Sequence, residues 1–374
     1  MAAVVTAVVI AGVAVAVLVT RGSGEEGDVF TPSTIGRGTH VCVAVGTPGD
    51  DGARFRVPLL RAIRKAHREL ATTGSLLVGH GDKKMAAAVR RLVHEGCDLV
   101  AATGVEAGKA IIAAARANPD THFAVLGGTG PVSLPNVTVV RFHPEQAAFL
   151  AGYLAAGITR TGIVGAFGGE PDSRVERMLQ GFAGGVAKLN ADRELAVPLL
   201  GWNPVTRRGL FAGSAEDTEA GRRIGQRLVG NGADIVFGVA GNAARGAASV
   251  VNGVGDSFMI GSGWDWAQTA DAPRNWITSV EERVAVMFRL LVAREVRGKF
   301  MPGVVEATLA NGGVGLAKFR GPGQSVSPKL RYSLRLIGTQ IAEGEVSIDP
   351  NDYPPLPSPN AKPTGQPTEP EGED

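Results

Sequence analysis

The sequence predicts an α/β protein of two doubly wound, Rossmann-like lobes behind an N-terminal apolar helix. Three observations carry that expectation. Short apolar runs closed by Gly alternate with longer stretches of helical period, the pattern of repeated strand–helix units around a parallel sheet. The pattern passes through two successive cycles in 374 residues, more than one compact core usually needs. Gly is abundant, at 52 residues, and aromatics make up only 5%, a balance that suits tight strand-to-helix turns better than an aromatic-cored sandwich.

Taken in order, Ala2–Val19 (AAVVTAVVIAGVAVAVLV) is an uncharged apolar run about long enough to cross a bilayer as a helix. Residues 1–20 therefore read as a signal or membrane anchor. Arg21 follows the run and no Lys or Arg precedes it, the reverse of what the positive-inside rule asks of an exported C-terminus. Neither a Cys nor an obvious small-residue cleavage site follows, so an uncleaved anchor is expected rather than an acylated one. Residues 21–38 read as a flexible linker.

The first lobe is expected over 39–142 and about 275–305. Its strands are HVCVAVG, SLLVGHG, CDLVAAT, FAVLGG and VTVVRF, separated by helices RFRVPLLRAIRKAHREL, MAAAVRRLVHEG and VEAGKAIIAAARANP. The second lobe is expected over 143–274 and about 306–345. It opens with the helix PEQAAFLAGYLAAGI and continues through strands TGIVGAFGG, ELAVPLLGW, ADIVFGVAG and SFMIGSG with their intervening helices. Strand WITSV, helix VAVMFRLLVAREVRG, strand VVEATL, the Gly-rich NGGVGLAKF and helix PKLRYSLRLIGTQIAEG follow, so the chain crosses between lobes more than once. Residues 349–374 are dominated by Pro and acids and are expected to be a disordered tail.

Several function classes are excluded early. With 38 Lys and Arg against 36 Asp and Glu, no global field favours nucleic acid. GHGDKK and ATGVEAGKA miss the P-loop spacing, and Lys109 is not followed by Ser or Thr. No G-x-S-x-G elbow is present. The six His are scattered; His80 and His143, near strand ends, are ligand contacts or, more ordinarily, surface residues. Cys42 and Cys97 each lie in a strand that reads as buried; two core thiols is the ordinary reading, and a bridge in an oxidising compartment is the alternative. No metal or cofactor site emerges.

Strands ending in Gly, as in LGGTGP and FGVAGNAARG, mark the carboxyl edges where open parallel sheets bind ligands. Aromatics there can stack on a planar solute: Phe55, Phe142, Phe167, Trp202, Trp264 and Trp266. Ordinary core packing competes with that role, most evenly for Phe142 and Phe167. Asp51 and Asn242 occupy analogous strand-end loops, as ligand hydrogen-bonders or as helix caps.

The order of these pieces resembles the basic membrane protein family of substrate-binding lipoproteins, which includes purine nucleoside receptors of import systems. The resemblance spans about Val41 to Gly344 and rests on NVTVVRFHPEQAAFLAGYLAA, TGIVGAFGG followed by QGFAGGVAKLN, NGADIVFGVAG, WITSV and NGGVGLA, in that order. It implies a type I periplasmic-binding fold whose lobes close over a ligand. Departures from the family's usual pattern are Arg56 where an amide is common, Gly127 and Gly263 where Asp is usual, and Glu282 where Lys is typical. An acid in place of a cation inverts the local field.

The expected function is an extracytoplasmic solute-binding protein, tethered at the cell membrane or secreted, that passes a small, nucleoside-like ligand to an ABC permease without catalysis. Asp51 and Asn242 would bond polar edges and Phe55 and Trp264 would stack. Asp265 and Glu282 would meet hydroxyl or cationic groups, and Gly104, Gly127 and Gly241 would let backbone approach the ligand. The alternative is a membrane-anchored sensor using the same lobes to signal to a partner.

Overall fold

Strands that are apolar along their whole length can be satisfied only where both faces of a sheet are covered, and here they are. The computed structural model describes residues 35–358 except 47–48, 105, 129, 131–132, 256, 269–274, 322 and 324–325, and only the backbone of 49–54. In chain order the first elements are β1 (Val41–Val45), α1 (Gly49–Leu70), β2 (Leu76–Val78), α2 (Asp82–His94), β3 (Leu99–Thr103), α3 (Ala107–Ala117), β4 (His122–Leu126) and β5 (Val137–Phe142). Next come α4 (Pro144–Ile158), β6 (Val164–Gly168), α5 (Ser173–Arg193), β7 (Leu199–Leu200), β8 (Trp202–Asn203), β9 (Arg208–Gly209) and α6 (Thr218–Gly230). The remainder is β10 (Ile235–Val239), α7 (Gly241–Val251), β11 (Phe258–Gly263), β12 (Trp276–Glu282), α8 (Val284–Val296), β13 (Gly303–Ala307), β14 (Val314–Leu316) and α9 (Pro328–Glu343).

Among the described residues these strands make two six-stranded sheets, ordered β13-β5-β4-β3-β1-β2 and β14-β12-β11-β10-β6-β7. The first is parallel throughout, and the second is parallel except for β14, which runs against β12. β1, β3, β6 and β10 are buried at every residue, as their sequences, apolar but for Thr103 at the end of β3, require. The expected α/β class with parallel sheets therefore holds. From Ser33 onward the chain forms one compact unit. The expected N-terminal apolar helix lies outside the described residues, among which no helix is long and apolar enough to cross a membrane.

The chain passes between the sheets three times. β5 of the first sheet leads into α4, which packs on α5, α9, β12 and β14 of the second lobe. β12 of the second sheet leads into α8, which packs on α1, β3 and β4 of the first. β13 rejoins the first sheet before β14 closes the second. One expected boundary moves as a result: Trp276–Glu282, assigned by sequence to the return into the first lobe, pairs with β11 in the second, and the return begins at α8.

α4 is buried over nearly its whole circumference, from Pro144 to Ala156. Its neighbour α5 comes so close that a Cβ on Gly152 would lie 1.9 Å from the Phe182 carbonyl oxygen, and one on Gly185 1.9 Å from that of Phe149. Side chains at those positions would drive the helices apart, which explains the small-residue run GFAGG.

Two further expectations change. Residues after Asp349, read as having nothing to pack, dock on the second lobe as far as Leu356. Pro350 is buried, Tyr353 lies 6.1 Å from the ring of Phe149, and Leu356 packs against the core. Three apolar residues at those spacings suffice, and the composition of the remaining tail masked them. Cys42 and Cys97 are bridged, because parallel pairing of β1 with β3 sets Cys42 opposite Val100, with Cys97 just ahead of that strand and the two Cα atoms 6.0 Å apart.

A bridge across a sequence separation of 55 residues restricts the unfolded chain by about 4 kcal/mol in the loop-entropy picture. Reduction, or the C42A/C97A change, is expected to lower unfolding stability by roughly 2–4 kcal/mol. Urea melts of oxidised and reduced protein that coincide would contradict this.

Candidate functional site

The passages bring strand ends of the two sheets together: after β5, His143 N–H donates to Ala307 O at the end of β13, and after β12, Arg283 N–H donates to Gly313 O beyond β13, so carboxyl ends of both sheets adjoin there. That is the edge at which open parallel sheets hold ligands. All nine residues singled out from the sequence lie along it or in the first turns that follow it.

On the first lobe, Asp51 lies in the opening turn of α1, and Phe55, one turn on, is half-buried against the core. Gly104 closes β3 with φ +116°, and a Cβ there would stand 2.9 Å from the Gly46 carbonyl oxygen at the end of β1. It therefore holds two strand ends together, besides baring backbone. Gly127 ends β4 with φ +99° and faces open space, its N–H donating to Val140 O at 3.0 Å.

On the second lobe, Gly241 begins α7 with φ +51°, and Asn242 beside it donates from Nδ2 to Glu216 Oε2 at 2.6 Å. Trp264 is half-buried and leans on Trp266, ring centroids 4.7 Å apart. Trp266 is itself buried, stacks on Trp276 at 5.4 Å and donates from Nε1 to Ser262 O at 3.0 Å. Asp265 is buried and occupied: Oδ2 accepts from Arg320 Nη2 at 3.1 Å and Gln268 Nε2 at 3.0 Å, and Oδ1 from the backbone of Ala267. Glu282 is also occupied, by Arg174 at the start of α5, through Nε at 3.0 Å and Nη2 at 2.7 Å. These two acids hold neighbouring side chains in place. Of the other aromatics, Phe142, Phe167 and Trp202 are core residues.

His143 is the residue whose weight the sequence understated. It stands at the β5–α4 passage with Nδ1 2.9 Å from Glu145 Oε1 and Nε2 2.7 Å from Glu306 Oε2 at the end of β13. Arg141 also donates to Glu306, at 3.0 Å, and Arg177 lies 3.7 Å from Glu145. Only the imidazolium can donate to both carboxylates at once. Burial lowers the His143 pKa, and the hydrogen bonds and charges of Glu306 and Glu145 outweigh it, holding the net value above the ordinary one. The sequence signal was a His at a strand end; its partner, Glu306, lies 163 positions away.

Arg174 and Glu106 were missed. Arg174 keeps an exposed flank while Glu282 fixes its guanidinium, and Glu282's charge raises its already high pKa. Glu106 stands where β3 meets α3, 3.3 Å from the position a Cβ on Gly46 would take, and its Oε2 is buried with no hydrogen-bond partner among the described residues. ATGVEAG marks the right strand end, but nothing in it separates this carboxylate from a solvated one.

A family model described as ABC transporter substrate-binding protein PnrA-like matches residues 59–331. Basic membrane protein A of Borreliella burgdorferi is 26% identical over 261 residues, covering 68% of this chain and 72% of that protein. The ABC transporter nucleoside-binding protein BmpA of Lactococcus lactis is 24% identical over 269 residues, covering 68% and 72%. An ABC transporter solute-binding protein from Conexibacter woesei superposes with TM-score 0.66 at 20% identity, over 83% of this chain and 98% of that one, which bears on the fold alone.

Because the folded-state pKa of His143 is raised, its contribution is fully present below the unfolded value of about 6.5 and is lost as pH rises through the folded one. Raising pH from 6 is therefore expected to lower the melting temperature of wild type more than that of His143→Gln. Parallel pH profiles would show that the two carboxylates do not hold the imidazolium.

Proposed function

This chain belongs to the PnrA-like family of ABC transporter substrate-binding proteins, and on that footing we propose that it captures a nucleoside-like solute between its facing sheet edges. As a member it serves an ABC importer as the substrate-binding component. The role is capture and delivery to a permease, with no catalytic step.

The observation that carries the choice of solute is Trp264, a half-buried indole at a strand end, backed by the buried pair Trp266 and Trp276. A planar base gains by stacking on such a surface, and a rigid support keeps the indole in place. The relative from Lactococcus lactis, by its printed name, binds nucleosides. Phe55 from the first lobe would supply the opposing apolar face. Asp51, Asn242 and the unpartnered oxygen of Glu106 would take the polar edges, and Gly104, Gly127 and Gly241 would let backbone come close.

Asp265 and Glu282 act one step removed in this reading, through Arg320 and Arg174. The side-chain set thus offers two guanidiniums, each held by an acid, and one unsatisfied carboxylate oxygen, in keeping with a solute carrying several hydroxyls. The Cys42–Cys97 bridge supports an oxidising, extracytoplasmic setting. Membrane attachment through Ala2–Val19 belongs to the same proposal.

Thermal unfolding against nucleosides, bases, sugars and amino acids tests this. A nucleoside present at a hundred times its Kd adds about 2.7 kcal/mol of stability and raises the melting temperature. Trp264→Leu and Glu106→Gln are expected to reduce that shift at fixed nucleoside concentration. If no nucleoside shifts the melt of ligand-free protein while another class does, the nucleoside assignment fails.

A further inference from the structure

The near-balance of charge over the whole chain conceals a strong local excess. Arg61, Arg64 and Arg68 follow one another at helical spacing on the outer face of α1, and all three are exposed. Arg37 beside the start of the fold, and Arg297 and Lys299 after α8, are exposed too. None of these six cations has an acidic partner among the described residues. The acid within this face, Glu69, is engaged by Lys65 and by Arg289 of α8, each at 3.4 Å. Near its rim, Asp98 accepts from the backbone of His40 and Glu295 pairs with His122.

A basic helix face is most often simply solvated, and Arg68 and Arg297 also complement the carboxyl-end dipoles of their helices. Arg61 and Arg64 have no such local reason. A second observation gives the face a direction. Gly36 donates to Leu70 O at 2.8 Å, and a Cβ on it would lie 2.4 Å from that oxygen and 3.0 Å from Val296 Cγ2. The chain thus enters the fold between the carboxyl ends of α1 and α8, at the end of the basic face. Residues 20–34, between the apolar run and the fold, can span at most roughly 50 Å.

We propose that this face of the first lobe, formed by α1 and the end of α8, docks on an anionic lipid bilayer. The inference rests on the extracytoplasmic, membrane-attached placement and is independent of which solute is bound. The field of an anionic surface decays within about 8 Å at physiological salt, so the cations act only when the face itself lies at the surface. A short tether makes the encounter intramolecular and frequent. The docking cations of α1 lie in its second half, beyond the opening turns that carry Asp51 and Phe55 at the edge between the lobes.

The test uses protein lacking residues 1–32, the compact unit from Ser33, so that the apolar run cannot account for binding. It is sedimented with vesicles of phosphatidylcholine alone or with 30% phosphatidylglycerol. Association is expected with the anionic vesicles only, weakening as salt is raised. R61Q/R64Q/R68Q is expected to lower it on the order of a hundredfold. R227Q/K329Q/R335Q, which removes the same charge from exposed positions on the second lobe, is expected to leave most of it intact. An unchanged melting temperature shows that the first variant is folded. Absence of binding to anionic vesicles, equal binding to both kinds, or an equal loss in the two variants would overturn the proposal. A nucleoside-induced melting shift retained by R61Q/R64Q/R68Q keeps the capture reading separate from this one.

Discussion

Three passages of chain between two sheets, joined to one another by side-chain and backbone hydrogen bonds, are the constraint on which the rest of this structure depends. They leave from the carboxyl ends of β5, β12 and β13, the end of a strand at which open parallel sheets hold ligands. His143 ties the first passage to the third through Glu145 and Glu306, while Arg283 in the second donates to Glu281 and to the Leu316 carbonyl of β14. The backbone joins them as well: His143 N–H donates to Ala307 O at 2.9 Å and Arg283 N–H to Gly313 O at 2.8 Å. Any rotation of one lobe against the other would have to bend these three segments and strain these contacts.

On either side of the passages, packing is unusually close because the chain is poor in large side chains. α4 and α5 meet at backbone distance, and so do α6 and α7, where a Cβ on Gly221 would lie 1.8 Å from the Ala243 carbonyl oxygen. Contacts of this kind tolerate no added methyl group. The few large aromatics are correspondingly concentrated: Phe182 stacks on Phe237 in the core, and the Trp264, Trp266 and Trp276 group stiffens the edge of the second lobe.

The acids expected to touch a ligand illustrate how a position at the right edge differs from a free side chain. Asp265 and Glu282 lie at strand ends of the second lobe, yet each accepts hydrogen bonds from a nearby guanidinium, and each is nearly buried. A half-buried carboxylate is costly without such a partner. Glu106 is the contrasting case, with one oxygen buried and unsatisfied, the condition that a bound hydroxyl or amine relieves.

What the sequence determined by itself is the part of the structure written in local pattern. Apolar runs closed by Gly placed the strands, helical periodicity placed the helices between them, and the carboxyl edges followed, because connections in parallel sheets obey few rules. That Gly104, Gly127, Asn242 and Trp264 stand at strand ends, and Phe55 early in the helix after one, was legible on that ground. Tertiary structure alone decided which of two readings of Cys42 and Cys97 holds, where β12 belongs, that Pro350 and Tyr353 dock, and which acids are already paired. Each of these turns on atoms far apart in the chain: 55 residues for the disulfide, 163 for His143 and Glu306, 108 for Arg174 and Glu282. A single sequence records the identity of such partners but not their meeting, because the meeting is set by the packing of whole elements rather than by any neighbouring residue.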